Sequence, residues 1–516
     1  MQSSLQKFKH QLSNIDMTQG TPWKKLLLFT VPLLIGNFFQ QMYNTADAII
    51  LGRFVGDNAL AAVGVSIPIF FLVLVIMFGI SMGSGIMVAQ YFGAKKREEL
   101  SRTVGVSLTI ITVIGVVMMA AAPFVVRPLL VLQNTPAEIL DDATMYMTIL
   151  MVGVLGMAYF NILSGILRGM GDAFSPLKYL AYASVLNIIF NFILIPEPWT
   201  LGLFGYELYV PGSEYLEVVT KYRHELHIPG FGLGVWGAAV GTVVAQLITS
   251  LMCLRRLMQM RDVFDMGFKY LRPQKKYAVQ VLKLGVPTAA SQAVFAVAMM
   301  IIQPLANGMD YLFPGFLAAN IIVMRIDGFI MMPNFSFGQA ISVYVGQNIG
   351  AGKIDRIGIG VRQCIIVAFS TALITVSAVL LFGHHIAGIF TETEYVIAMS
   401  TRFLRILSLG YVVFAVHMVM LGAIRGAGDA LTPFWMATTN TIFVRVPTAY
   451  LFVHFIGTPD ALFFSLLAGW STNTILGCFA YRFGKWRTKG IVRQQPEPDA
   501  QVSSSETPTS ESLEEV

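Results

Sequence analysis

Charge is scarce in this sequence. Asp, Glu, Lys and Arg make up 12% of its 516 residues, about half of the roughly 25% usual in a soluble globular domain. A chain this long with so little charge cannot clothe itself in water, and 55% hydrophobic residues place it in a bilayer. Cysteine is nearly missing too. Cys253, Cys364 and Cys478 lie in or at the ends of apolar runs and are not grouped, so neither disulfides nor a metal framework is expected. Short stretches of alternating apolar and polar residues are lacking, which excludes a barrel and leaves spanning helices as the way to satisfy a backbone in lipid. Enzyme chemistry finds no footing: no nucleophile stands with a base and an orienting group, and there is no P-loop. GLGVWG at 232–237 has the glycine spacing of a dinucleotide turn but opens an apolar run with no strand before it, so the chain reads as a non-enzyme without a cofactor. A cleavable secretory signal is not expected, because the first apolar run continues to span length and lacks a small-residue cleavage site.

What the chain has in abundance is long apolar runs. About 20 such residues cross the hydrocarbon core as a helix, and twelve spans are read at 26–51, 59–88, 104–126, 143–165, 177–195, 233–254, 281–305, 315–345, 360–383, 398–421, 435–456 and 461–481. The net charge of +6 invites a nucleic-acid reading, but its distribution argues otherwise. With a cytoplasmic N-terminus, 27 of the 35 basic residues fall before the first span, after the last, or on connections and helix ends facing that same side. That is the positive-inside bias. The basicity is topology, both termini are expected in the cytoplasm, and nucleic acid is not an expected partner.

One phrase is written twice. RGMGDAFSP runs from Arg168 to Pro176 and RGAGDALTP from Arg425 to Pro433, 257 residues apart. The same shift aligns Gln90 with Gln347, Gly93 with Gly350 and Gly165 with Gly422, while VP at 31–32 meets VP at 286–287 after a two-residue gap. Each copy follows the fourth span of its half, and six crossings return both to one side. The halves are therefore parallel repeats, which implies a pseudo-two-fold axis along the membrane normal and a site between two six-helix lobes. A duplicated bundle also suits a channel or a scaffold. The fold class is an all-α polytopic membrane protein of twelve transmembrane helices. Its expected parts are an N-terminal segment (1–22), an amino-terminal lobe (23–257) with an enlarged external loop at 196–232, a linker (258–280), a carboxyl-terminal lobe (281–485) and a polar, acidic tail (486–516). The tail is expected to be disordered. Within the phrase, the glycines suit a tight turn, the aspartate can cap the next helix and the proline fits its first turn. Arg168 and Arg425 would anchor the inner interface, and a pair of latches between lobes is the alternative.

TADAIILGRFVGDNALAAVGVSIP (45–68), AQYFGAKK (89–96), LRGMGDAFSP (167–176), LNIIFN (186–191), VWGAAVGT (235–242) and GQNIGAGK (346–353) resemble the multidrug and toxic compound extrusion (MATE) family of secondary exporters. The resemblance covers about residues 24–485. It implies two bundles of six helices, a central cavity, and export of organic, usually cationic or amphipathic, compounds against entry of H⁺ or Na⁺. Small-molecule substrates, lipid neighbours, function as a monomer and residence in a bacterial cytoplasmic membrane are the accompanying expectations.

Coupling to an ion asks for an ionisable group in the membrane. Of 29 acidic residues, Asp47 and Asp327 sit clearly within spans, where a charge costs about 2.5–3.5 kcal/mol or more. Asn37, Gln40, Gln41, Asn44 and Asp47 follow helical spacing along the first span and form one polar stripe, expected to face the cavity. The plainer alternative sets Asp47 near the outer surface beside Arg53, whereas the resemblance puts the family's membrane carboxylate at Asp47. One branch of the family completes that site with an Asn and an Asp four apart on the fifth helix and a Thr on the sixth. Asn187 matches the Asn and Thr242 the Thr, but Asn191 stands where that branch has Asp. A Na⁺ shell with one carboxylate stays open, since amide oxygens suit a hard cation. A proton on Asp47 is the simpler carrier, because burial penalises a charged carboxylate. Hydrogen bonding between helices would equally account for Asn187, Asn191 and Thr242.

The carboxyl-terminal lobe is less explicit. Arg325 and Asp327 are two apart and point away from each other on a helix. Arg445 is expected to pair with Asp327 or to snorkel, with structural pairing ahead of a role in the cavity. His417 reads as packed and hydrogen-bonded rather than as a relay; Met299, Met300, Met331 and Met332 read as gap fillers ahead of a drug surface. HELH at 224–227 reads as part of an external cap or solvated loop rather than a metal site. The rival function is a flippase of lipid-linked sugars, whose pyrophosphate would call for several cavity arginines; only Arg325, Arg445 and, at an edge, Arg405 lie within spans.

Overall fold

The computed structural model describes residues 15–197, 199–210, 217–228 and 230–492. The amino-terminal lobe consists of α1 (Pro22–Phe54), α2 (Asp57–Gly93), α3 (Arg97–Leu132), α4, α5 (Phe174–Leu194) and α6 (Gly234–Gln259). α4 comes in two halves, Ala137–Val152 and Val154–Gly169, bent by 48° at Gly153. A Cβ at Gly153 would lie 2.3 Å from the methyls of Val243, so this bend is where α4 closes on α6. The other lobe holds α7 (Lys275–Leu312), α8 (Phe316–Gly350), α9 (Ile354–Gly388), α10 (Glu394–Gly426), α11 and α12 (Asp460–Phe483). α11 is broken into Leu431–Asn440, a π-helical turn Thr441–Arg445, and Val446–Ile456. Among the described residues ten helices are singly long and apolar enough to span a bilayer and the two halves of α4 make an eleventh. The interrupted α11 completes the twelve.

Packing follows the repeat. α1 lies on α5, α2 on α4, and α4 and α5 on α6; six helices later α7 lies on α11, α8 on α10, and α10 and α11 on α12. The segment between α5 and α6 adds something that the helical reading lacks. β1 (Trp199–Val210) and β2 (Glu217–Ile228) form an antiparallel hairpin, with Trp199 opposite Ile228 and Val210 opposite Glu217. HELH belongs to β2. Runs rich in β-branched and aromatic residues, TLGLFGYELYV and EVVTKYRHELHI, favour strands. The linker is packed rather than loose: Phe268–Leu271 forms a helical turn, and Arg97 pairs with Asp265 at 2.7 Å.

The lobes meet backbone to backbone along small residues. A Cβ on Gly79 would lie 2.6 Å from Gly285 O, and one on Gly83 2.7 Å from Val281 O. Nearer the end that carries most of the basic residues, the contact becomes reciprocal. A Cβ on Gly93 would sit 2.0 Å from Gln347 O, and one on Gly350 1.9 Å from Gln90 O. The two glutamines then cross between lobes: Gln90 Nε2 donates to Gly426 O (3.1 Å) and Gln347 Nε2 to Gly169 O (3.0 Å). Residues just outside the helical lobes take their other atoms, Met17 N donating to Gln347 Oε1 (2.9 Å) and Ile491 N to Gln90 Oε1 (2.7 Å). Among the described residues, the inter-lobe hydrogen bonds lie between mid-depth, where Asn37 Nδ2 donates to Ser336 Oγ (3.2 Å), and this basic end.

The repeated phrase forms the turns beside this seal. Gly171 and Gly428 have φ of +90° and +94°, left-handed values that glycine adopts without a steric penalty. Asp172 accepts from Ser175 N (2.9 Å) and Oγ (2.7 Å), and Asp429 from Thr432 N (3.1 Å) and Oγ1 (2.7 Å). A cation closes each turn, Arg256 Nε at 2.9 Å from Asp172 and Lys489 Nζ at 2.8 Å from Asp429. Burial pushes the Asp172 carboxyl above the usual carboxylate range, against the pull of Ser175 and Arg256. The tail expectation is corrected at its start. Lys485–Thr488 forms a 3₁₀ turn that buries Trp486, 2% exposed, against Tyr481 at 5.0 Å between ring centroids. Residues 493–516 and 1–14 lie outside the described residues.

Candidate ion-coupling and substrate site

α1 carries its polar stripe past mid-membrane. Asn37 reaches α8, as above; Gln40 and Asn44 are exposed, Gln41 is half-buried, and Gln40 Nε2 lies 3.5 Å from Tyr43 OH. At the stripe's end Asp47 turns toward α5 and is half-buried. Asn191 Nδ2 donates to Asp47 Oδ1 (2.5 Å) and also reaches Asn187 Oδ1 (3.4 Å). Asn187 Nδ2 donates in turn to Thr242 Oγ1 on α6 (3.2 Å). The i, i+4 spacing of the two asparagines puts both on one face of α5, so Asp47, Asn187, Asn191 and Thr242 form one chain across three helices.

The partners of Asp47 are neutral. Arg53, the neighbour in the plainer alternative, makes no ion pair with it among the described residues. Among the described residues Asn191 Oδ1 is buried without a partner, and so is Gln246 Oε1. Gln246 lies one turn beyond Thr242 and meets Tyr43, and Tyr146 also lies near Asp47. Sequence reasoning missed Tyr43, Tyr146 and Gln246; Gln246 had a signal, its i+4 spacing from Thr242 in an otherwise apolar run. Chemically, the cluster presents one carboxylate and several amide and hydroxyl oxygens. It can take a proton or a monovalent cation. Among the described residues no three His, Cys, Asp or Glu side chains converge as metal ligands.

The carboxyl-terminal lobe corrects one expectation. Asp327 accepts a hydrogen bond from the fully buried Tyr411, not an ion pair from Arg445. Arg445 instead lies over the Phe295 ring, 4.8 Å from its centroid, with Nη2 3.1 Å from Met299 Sδ. The reason is position: α11 faces α7 and α12, whereas Asp327 on α8 faces α10. Arg325 is exposed. His417 is buried, with Nδ1 3.2 Å from Asn473 O. Met331 is buried and Met300 exposed, so the four methionines do not form one surface. Cys253 and Cys364 are buried and Cys478 exposed, all as free thiols.

A family model for MatE matches residues 32–193 and 287–451, one stretch in each lobe. Similar proteins include the probable multidrug resistance protein YoeA of Bacillus subtilis, 27% identical over 91% of this chain and 96% of that protein. The probable multidrug resistance protein NorM of Thermotoga maritima is 24% identical over 92% of this chain and 95% of its own. Among solved structures, an outward-facing conformation of a multidrug resistance MATE family transporter matches with a TM-score of 0.78 at 24% identity. It covers 91% of this chain and 97% of that one.

Proposed function

This chain belongs to the MatE family and is a multi-pass membrane transporter rather than an enzyme, and from that premise we propose that it exports organic, cationic or amphipathic compounds by antiport with H⁺ carried on Asp47. The observation that supports this reading is a carboxylate within a span whose partner is the neutral Asn191, placed at the end of a partly exposed polar stripe. A lone carboxylate can hold a proton or a cationic substrate but not both, which is the exchange that antiport needs. Because Asp47 ties α1 to α5, and α5 through Asn187 and Thr242 to α6, its change of charge bears on how α1 packs. The seal at the basic end fits a state open to the outside, with both termini in the cytoplasm and a single chain as the working unit in a bacterial inner membrane. A second reading, Na⁺ in place of H⁺, is favoured by Asn191 Oδ1, which is buried and unpartnered and is of the ligand type a hard cation takes.

Purified protein in liposomes, with an imposed pH or Na⁺ gradient and a fluorescent cation, separates these. Movement that follows the pH gradient and ignores Na⁺ supports the proposal. Movement with Na⁺ alone transfers the role to the second reading, and none under either gradient refutes both. The lipid-linked-sugar flippase remains disfavoured by the scarcity of membrane arginines.

A further inference from the structure

Among the described residues Arg445 is a cation without a counter-ion, buried in the carboxyl-terminal lobe. It is 6% exposed. Its side chain meets the face of Phe295 and the sulfur of Met299, and its Nε is buried with no partner among the described residues. Arginine keeps its charge in proteins, and a buried charge needs an opposite charge or a full set of hydrogen bonds to be tolerated. Among the described residues no carboxylate forms a salt bridge with it, and Asp327 is engaged by Tyr411.

The backbone is shaped to hold it there. The wide π turn, Thr441–Arg445, brings residues five apart onto one face, so Asn440 and Arg445 stand together over Gly469. A Cβ on Gly469 would lie 3.6 Å from both Asn440 Nδ2 and Arg445 Cβ. Asn440 is 4% exposed and its Oδ1 also lacks a partner among the described residues. Two buried polar side chains thus meet with unused hydrogen-bonding capacity, an arrangement that native interiors rarely leave unfilled.

The place lies on the helices that repeat those of the Asp47 site. α7, α11 and α12 correspond to α1, α5 and α6, and the 257-residue shift carries Ile188, beside Asn187, onto Arg445. The 255-residue shift that matches the two VP pairs carries Gln40 and Asn44 onto Phe295 and Met299. The α1 face that bears the polar stripe is therefore, on α7, the face that meets the guanidinium. By the same shift Asp47 itself falls on Ile302, three residues beyond Met299, so the carboxylate of one lobe and the cation of the other lie near corresponding places, not at the same position.

We propose that Arg445, with Asn440, is an anion subsite that takes the carboxylate or sulfonate of an amphipathic compound, whose apolar body rests on Phe295 and Met299. Organic anions and zwitterions then join cations among the substrates, which rests on the exporter reading; binding itself does not. The test is calorimetric titration of the purified full-length protein with three ligands sharing one ring system: 1-naphthalenesulfonate, 1-naphthalenemethanol and 1-naphthylmethylammonium. Wild type is expected to bind the sulfonate at least tenfold more tightly than the alcohol, and Arg445→Gln to erase that preference. Arg445→Lys, which keeps the charge but not the planar fork, should retain part of it. Equal wild-type affinity for sulfonate and alcohol overturns the proposal without recourse to any variant; so does a folded Arg445→Gln protein that keeps the full preference. Lack of gradient-driven cation export alongside an intact sulfonate preference counts against the antiporter alone, and the converse against the subsite alone.

Discussion

Replacing Gly350 by alanine tests whether the seal between lobes sets the conformational equilibrium. The new Cβ would stand 1.9 Å from Gln90 O, 2.8 Å from its carbonyl carbon and 2.9 Å from Ala94 N. All three are backbone atoms of α2 and its cap, so no side chain can rotate out of the way. Overpacking costs about 1–3 kcal/mol, and a contact this short belongs near the upper end of that range. The clash exists only while the lobes are closed at the basic end. Alanine also favours a helix over glycine by roughly 0.5–1 kcal/mol, but α8 is helical whichever way the lobes face, so this gain cancels between the two states. What remains shifts the equilibrium toward opening at the basic end by about 5- to 150-fold. Spin labels at Lys96 and Asp355, exposed positions on opposite lobes at that end, report the separation by pulsed electron resonance in liposomes. A longer-distance population should grow in Gly350→Ala and not in Gly358→Ala, whose Cβ meets nothing within 4 Å. A Gly350→Ala distribution identical to wild type would refute the reasoning.

Asp47→Asn should keep the fold, since the amide resembles a protonated acid, yet abolish gradient-driven export; full transport in liposomes would sink the coupling role and direct attention to Asp327. Asn191→Asp should make transport more responsive to Na⁺, because a second carboxylate favours a hard cation, and unchanged Na⁺ dependence would show that the cluster is not a cation site. In a Cys478-free background, since that thiol is exposed, cysteines at Lys96 and Lys485 should react with impermeant maleimide only from the cytoplasmic side and one at Glu392 only from outside. The opposite pattern would invert the topology.

The polar stripe ending at Asp47 was legible because polar residues at helical spacing stand out against apolar spans, whereas the grouping of Asn187, Asn191 and Thr242 with Asp47 was implied by the family resemblance and not by spacing. Lobes, turns and capping aspartates were legible for a related reason: a duplicated phrase keeps its turn chemistry. The placement of Arg445 against Phe295 and Met299 was not, because which helices α11 and α8 face is set by the assembled lobe, and the π turn that groups Arg445 with Asn440 leaves no trace in composition. Nor was the hairpin foreseen, although its strands are rich in the residue types that suit one. The docking of Met17 and Ile491 was hidden for the plainest reason: each binds through its backbone N–H, a group every residue but proline possesses. Gly93 and Gly350 could be matched as repeats, but that each touches the other lobe's glutamine backbone is a property of the assembled pair.

The bond from Ile491 to Gln90 spans 401 positions in the chain, and this has a consequence for synthesis. At about 5–20 residues per second, roughly 20–80 s separate the emergence of Gln90 from that of the residue that completes its hydrogen bonding. Met17, by contrast, is made long before its partner Gln347. The gate is therefore finished from both ends of translation, one half waiting for its acceptor and the other for its donor, and a nascent chain holds an unfinished gate until nearly its last described residue has left the ribosome.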